Sequence, residues 1–140
     1  KGYLEMRGAD GGPWSIICAL PALWVGLLYD EEALEKAEAI ANKFTHQDVV
    51  NARISAAKDG LKGQLGSQSL HELASQIIEI AETGLRNRAI FNKEDKDETI
   101  FLKPLRTIVD TGLTQADIVR KLFHEKWAQD IQKVFEYYKY

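Results

Sequence analysis

Glu5 and Arg7 stand two residues apart in the stretch YLEMRGADGGPW. In an extended chain alternate side chains share a face, which sets these two roughly 7 Å apart along it. A carboxylate is a hard oxygen ligand suited to Mg2+, and a guanidinium forks onto phosphate or carboxylate oxygens. Together they fit a metal-nucleotide complex or an acidic substrate. The same pair would equally make a cross-strand ion pair or a solvated face, so both readings stand on the residues alone. Asp10 precedes Gly11 and Gly12; it either hydrogen-bonds its own turn or borders a site. These glycines carry neither the Gly-Lys-Ser/Thr of a phosphate loop nor the dinucleotide fingerprint.

Other reactive side chains lack the company that chemistry needs. His46, His71 and His124 are scattered, without the spacing of a zinc site, and are read as surface or capping residues. Ser15 lacks the nucleophile elbow and Cys18 an adjacent base, so covalent catalysis has little support. Arg86 and Arg88 follow a helical stretch, where positive charge complements the helix dipole. Trp14, Trp24 and Trp127 read as core or half-buried anchors.

The elements that must position the front pair are mostly helical. GYLEM alternates like a strand, GADGG permits a sharp turn, and Pro13 is a rigid start for the next element. Residues 15–28 are almost uniformly apolar, which predicts a buried helix that Pro21 breaks or kinks. Asp30 caps a helix whose expected apolar face is Leu34, Ala37, Ala41 and Phe44. Thr45 and Asp48 form a capping pair before Val49, Val50, Ala52, Ile54 and Ala57. The glycine-rich KDGLKGQLGSQS reads as a loop that needs outside contacts for order. Ser69 and Glu72 open a helix with Leu70, Leu73, Ala74, Ile77, Ile80 and Ala81 inward, ending before Gly84. A charged loop is expected near 92–99. An amphipathic helix from about Leu102 accepts Pro104 in its first turn and stops at Gly112. Thr114 with Asp117 starts another, which buries Ile118, Val119, Leu122 and Phe123, and helical character continues through Ile131, Val134 and Phe135. The expected fold class is mainly α with one N-terminal β-strand.

With 140 residues, 45% of them hydrophobic, the chain can form one domain with its own core. Its formal charge of -3 supplies no field to gather a phosphate backbone, so no nucleic-acid partner is expected. The apolar run after Trp14 is too short to span a bilayer, and no membrane association is expected. A single cysteine excludes an internal disulfide and suits a reducing, cytoplasmic setting. The chain starts at Lys1 inside an apparent strand whose partners are missing, which suggests a piece of a longer polypeptide.

YLEMRGADGGPW, followed by ICALPALWVGLLYD, resembles the glutamate-cysteine ligase family in its plant and proteobacterial form. The likeness continues through DGLKG, IAETGLRNR and FLKPLRTIVDTG, and corresponds to the C-terminal portion of the family enzyme. The resemblance implies an α+β carboxylate-amine ligase that uses ATP and Mg2+. It would join the γ-carboxylate of glutamate to the amine of cysteine through a γ-glutamyl phosphate, the first step of glutathione biosynthesis. Glu5 matches the family's metal-binding glutamate, and Arg7 the arginine over the transferring phosphate and substrates. Asp10, Gly11 and Gly12 match a turn beside the site. Residues 1–12 would then form one wall of the active site, and residues 13–140 a helical portion of the same ligase domain. The upstream remainder of the polypeptide would supply the other walls, leaving the 140 residues inactive alone. Two alternatives are a non-catalytic helical interaction module and a carboxylate-amine ligase of different specificity.

Overall fold

The computed structural model describes residues 2, 8–9 and 11–139. The strand expected over GYLEM, and with it Glu5, Arg7 and Asp10, lies outside the described residues. Seven helices follow among those described: α1 (Trp14–Leu28), α2 (Glu31–Ala41), α3 (His46–Asp59), α4 (Leu70–Arg88), α5 (Lys103–Thr111), α6 (Gln115–Glu125) and α7 (Ile131–Tyr137). The fold is mainly α with a small antiparallel sheet, β1 (Gln64–Leu65) against β2 (Gln68–Ser69).

The centre is the packing of α1 on α4. Leu27, Ala81, Leu85 and Leu102 form a closed cluster, with Leu23, Trp24, Ile77 and Leu105 around it. Two glycines set how closely the helices approach. A Cβ on Gly84 would overlap the carbonyl oxygen of Gly26, and one on Gly26 would overlap that of Ala81. Gly84 is therefore a contact point inside α4, which runs past the expected stop to Arg88. The helix instead ends on Ala89, held in the left-handed region at φ 51°.

Pro21 does not break α1, which is one helix from Trp14 to Leu28. Pro21 lies on the exposed face, where the Ile17 carbonyl it leaves unpaired can meet water. In α2, Asp30 caps as expected, its carboxylate accepting from Ala33 N at 2.9 Å. The buried face, however, is Ala33 and Ile40 with Ala37 half-buried, whereas Leu34 and Ala41 are exposed. The small Ala33 packs beside Gly84, which rotates the helix away from the face its larger residues would choose.

The glycine-rich loop is an ordered hairpin. Gly66, at φ 60°, occupies the first position of a two-residue turn, a conformation that favours glycine. The outside contact comes from α3: Ser55 Oγ accepts from Gln64 N at 3.0 Å, and Gly63 is buried against Ser55 and Leu70. Both threonine capping boxes form, Thr45 with Asp48 and Thr114 with Asp117. Asp48 and Asp117 are held below the usual carboxylate range, first by the threonine hydroxyl and then by the backbone N–H that each accepts.

Along 92–99 the charged loop closes on itself. Asn92 Oδ1 accepts from Glu94 N and Lys96 N, at 2.8 and 3.1 Å. Its last residues already belong to a 3-10 turn, Glu98–Leu102, capped by Asp97. Pro104 falls in the first turn of α5, and Gly112 ends it at φ 66°, both as expected.

Candidate functional site

Of the front residues with candidate roles, the structure describes Gly11 and Gly12; Glu5, Arg7 and Asp10 lie outside the described residues. Gly11 is exposed and Gly12 is buried. A Cβ at Gly12 would stand 3.3 Å from Ile16 Cγ2 and 3.4 Å from Gln115 Oε1. Gly12 is thus seated between the start of α1 and the first residue of α6. Pro13 then launches α1, its carbonyl accepting from Ile16 N at 2.8 Å and Ile17 N at 3.1 Å.

Three polar ties join elements of the helical body. Arg106 forks onto Glu82, with Nε to Oε1 at 3.1 Å and Nη2 to Oε2 at 2.8 Å, which ties α5 to α4. That hydrogen-bonded carboxylate raises the Arg106 pKa further above its ordinary value. Arg88 Nε donates to Glu98 at 3.0 Å, and its guanidinium lies 5.5 Å from the centre of the Tyr29 ring. His71 Nε2 donates to the Val109 carbonyl at 2.6 Å; a carbonyl only accepts, so the proton is on Nε2. Arg86 pairs within α4, with Glu82 at 3.1 Å. Sequence reasoning gave Arg88 and His71 only local roles, because their partners come from other elements.

Other expected anchors differ in burial. Trp24 packs on the core cluster, Trp127 lies 5.5 Å from Tyr137 between ring centres, and Trp14 is 71% exposed. Cys18 is half-buried in α1.

A cavity of about 860 Å³ runs between residues 56–62 and residues 112–125. Lys58, Lys62, Arg120 and Lys121 face it, but so do Asp59, Asp117 and Glu125. Arg120 is already paired with Asp117 at 3.5 Å. The mixture leaves no convergent charge for one ligand. Among the described residues no three His, Cys, Asp or Glu side chains converge to hold a metal. Nor, among them, is any single helix long and apolar enough to cross a membrane.

Comparison with known proteins supplies what this geometry does not. Residues 1–137 match the family model of glutamate-cysteine ligase family 2 (GCS2). The chain is 40% identical over 136 residues to the chloroplastic glutamate-cysteine ligase of Solanum lycopersicum, covering 97% of this chain and 25% of that protein. Against the chloroplastic enzymes of Medicago truncatula and Arabidopsis thaliana the identities are 39% and 37%, over 97% of this chain and 26% and 25% of those proteins. The matched residues are mainly helical. The chain belongs to glutamate-cysteine ligase family 2. It spans about a quarter of the length of the curated relatives it matches.

Proposed function

We propose that the chain is part of an ATP-dependent glutamate-cysteine ligase. Its substrates would be glutamate and cysteine, joined through a γ-glutamyl phosphate in the first step of glutathione biosynthesis. The observation that carries this reading is the family match across residues 1–137. Residues 1–12 would form one wall of the active site, and residues 13–140 would support it. Glu5 is assigned to Mg2+, and Arg7 to ATP and the phosphoryl group in transfer, where fixed positive charge offsets developing negative charge. Asp10, Gly11 and Gly12 would shape the turn beside the substrates. The seat of Gly12 between α1 and α6 supports this assignment, because a site residue needs a rigid base.

With residues 1–12 as one wall of the site, Mg2+ would take Glu5 together with ligands from elsewhere in the polypeptide. The 140 residues alone are accordingly inactive. Purified residues 1–140 should give no γ-glutamylcysteine with ATP, Mg2+ and both amino acids, whereas the intact polypeptide should give it. Robust synthesis by the 140 residues would overturn the division of the site, and an intact protein that accepts another amine or acid would overturn the substrate assignment. The compartment is read as cytoplasmic from the single cysteine, although the relatives are named as chloroplastic. Imaging the tagged intact protein should show cytoplasmic signal, and organellar signal would refute that reading.

A further inference from the structure

The outer face of α3 carries a stripe with no cover among the described residues. Val50, Ile54 and Ala57 recur at helical spacing and, with Arg53 and Lys58, line a shallow groove of about 530 Å³. Val49 is 48% exposed, Val50 36% and Ile54 69%. The opposite face is occupied: Ala52 is buried, and Ser55 holds the hairpin through Gln64. Single exposed aliphatic residues are ordinary, but a contiguous stripe on one helix marks a contact surface. Its charge is one-sided, since both charged side chains lining the groove are cations. The chain spans only about a quarter of its relatives' length, which leaves ample polypeptide to cover it.

We propose that the α3 groove docks a segment of the same ligase polypeptide outside these 140 residues, one that presents apolar side chains flanked by carboxylates. This rests on the ligase reading above. Apolar contact with Val50, Ile54 and Ala57 would supply the attraction, and Arg53 and Lys58 would select the acidic flank and fix its register.

The test places the photo-crosslinking residue p-benzoylphenylalanine at position 54 of the intact polypeptide, with a control at the exposed Lys36. Peptide mass spectrometry should find position 54 joined, within the same molecule, to a carboxylate-flanked peptide outside residues 1–140. Arg53→Glu with Lys58→Glu should lower that yield severalfold. A link to a second copy, a link to an unrelated protein, or no link beyond these residues would each overturn the proposal. Because the bulky probe could itself disturb a packed face, Ile54→Cys gives a second readout. Its thiol should label many times more slowly than Lys36→Cys in the native intact protein, and equal labelling would also overturn the proposal. Assaying γ-glutamylcysteine synthesis on the unmodified protein separates the two failures. An active enzyme without the link refutes only the docking, and a link without ligase activity refutes only the functional reading.

Discussion

The α1–α4 crossing and the outer face of α3 are built from similar residue types and meet opposite fates. At the crossing, Leu85 and Ala81 are fully enclosed, and two glycines let the backbones approach so closely that no side chain fits between them. On α3, Val49, Val50 and Ile54 stand in the open. Apolar character alone therefore does not decide burial here. Close approach does, and it depends on small residues placed opposite one another.

The sharpest way to break the contrast is Gly84→Ala. The added methyl would strike the Gly26 carbonyl, and backbone cannot step aside as a flexible side chain can. The expected loss exceeds about 4 kcal/mol of unfolding free energy, despite alanine's better helix propensity. Urea unfolding followed by the helical circular dichroism signal checks it, and an unchanged midpoint would deny the crossing.

A matched pair of truncations sharpens the comparison. Leu85→Ala should cost about 2–5 kcal/mol, through lost transfer energy and the cavity left behind. Ile54→Ala in the 140-residue chain should change stability by less than about 0.5 kcal/mol. Equal losses in the same denaturant titration would mean that the two faces are not distinct.

Smaller effects belong to the polar ties. Arg106→Met removes both bonds to the half-buried Glu82 and should cost about 1–2 kcal/mol, reduced by the solvent exposure of the arginine. A double-mutant cycle with Glu82→Gln measures the coupling directly. Smallest is the pH response of the caps. Asp48 and Asp117 are depressed in the folded state by their threonine partners, so their contribution is complete above the unfolded carboxylate pKa of about 3.9. It is lost as pH falls through the lower folded values. Thr45→Ala with Thr114→Ala should therefore flatten the acid limb of the stability profile, which thermal melts across pH 2–6 (about the carboxylate range) would show.

What could be read from the sequence follows the same division between local and distant causes. Both threonine capping boxes, Pro104 in its helix's first turn and the Gly112 stop are local devices, and each forms as read. Gly84 reads as a stop because nothing near it in sequence reveals that Gly26 lies opposite. The inward face of α2 escapes periodicity for the same reason, since Ala33 is buried beside Gly84, which is distant in sequence. Arg88 found Glu98 and Tyr29 through tertiary packing that periodicity does not encode. At the candidate site, residue type and alternation single out Glu5 and Arg7, and the proposed ligand reading, in preference to an ion pair, rests on the resemblance. The seat of Gly12 on α6 had no signal in the sequence.

The assignment of that front pair is the central claim, and it is tested most directly in the intact polypeptide. Initial rates of γ-glutamylcysteine formation, with Mg2+ and ATP varied, should be compared for the natural protein, Glu5→Gln and Arg7→Met. Both variants should lose at least about 100-fold in kcat while keeping the natural unfolding midpoint, the loss expected when a preorganised charge is removed from the transition state. Glu5→Gln should also need more Mg2+. Two folded variants that work at the natural rate would contradict the account.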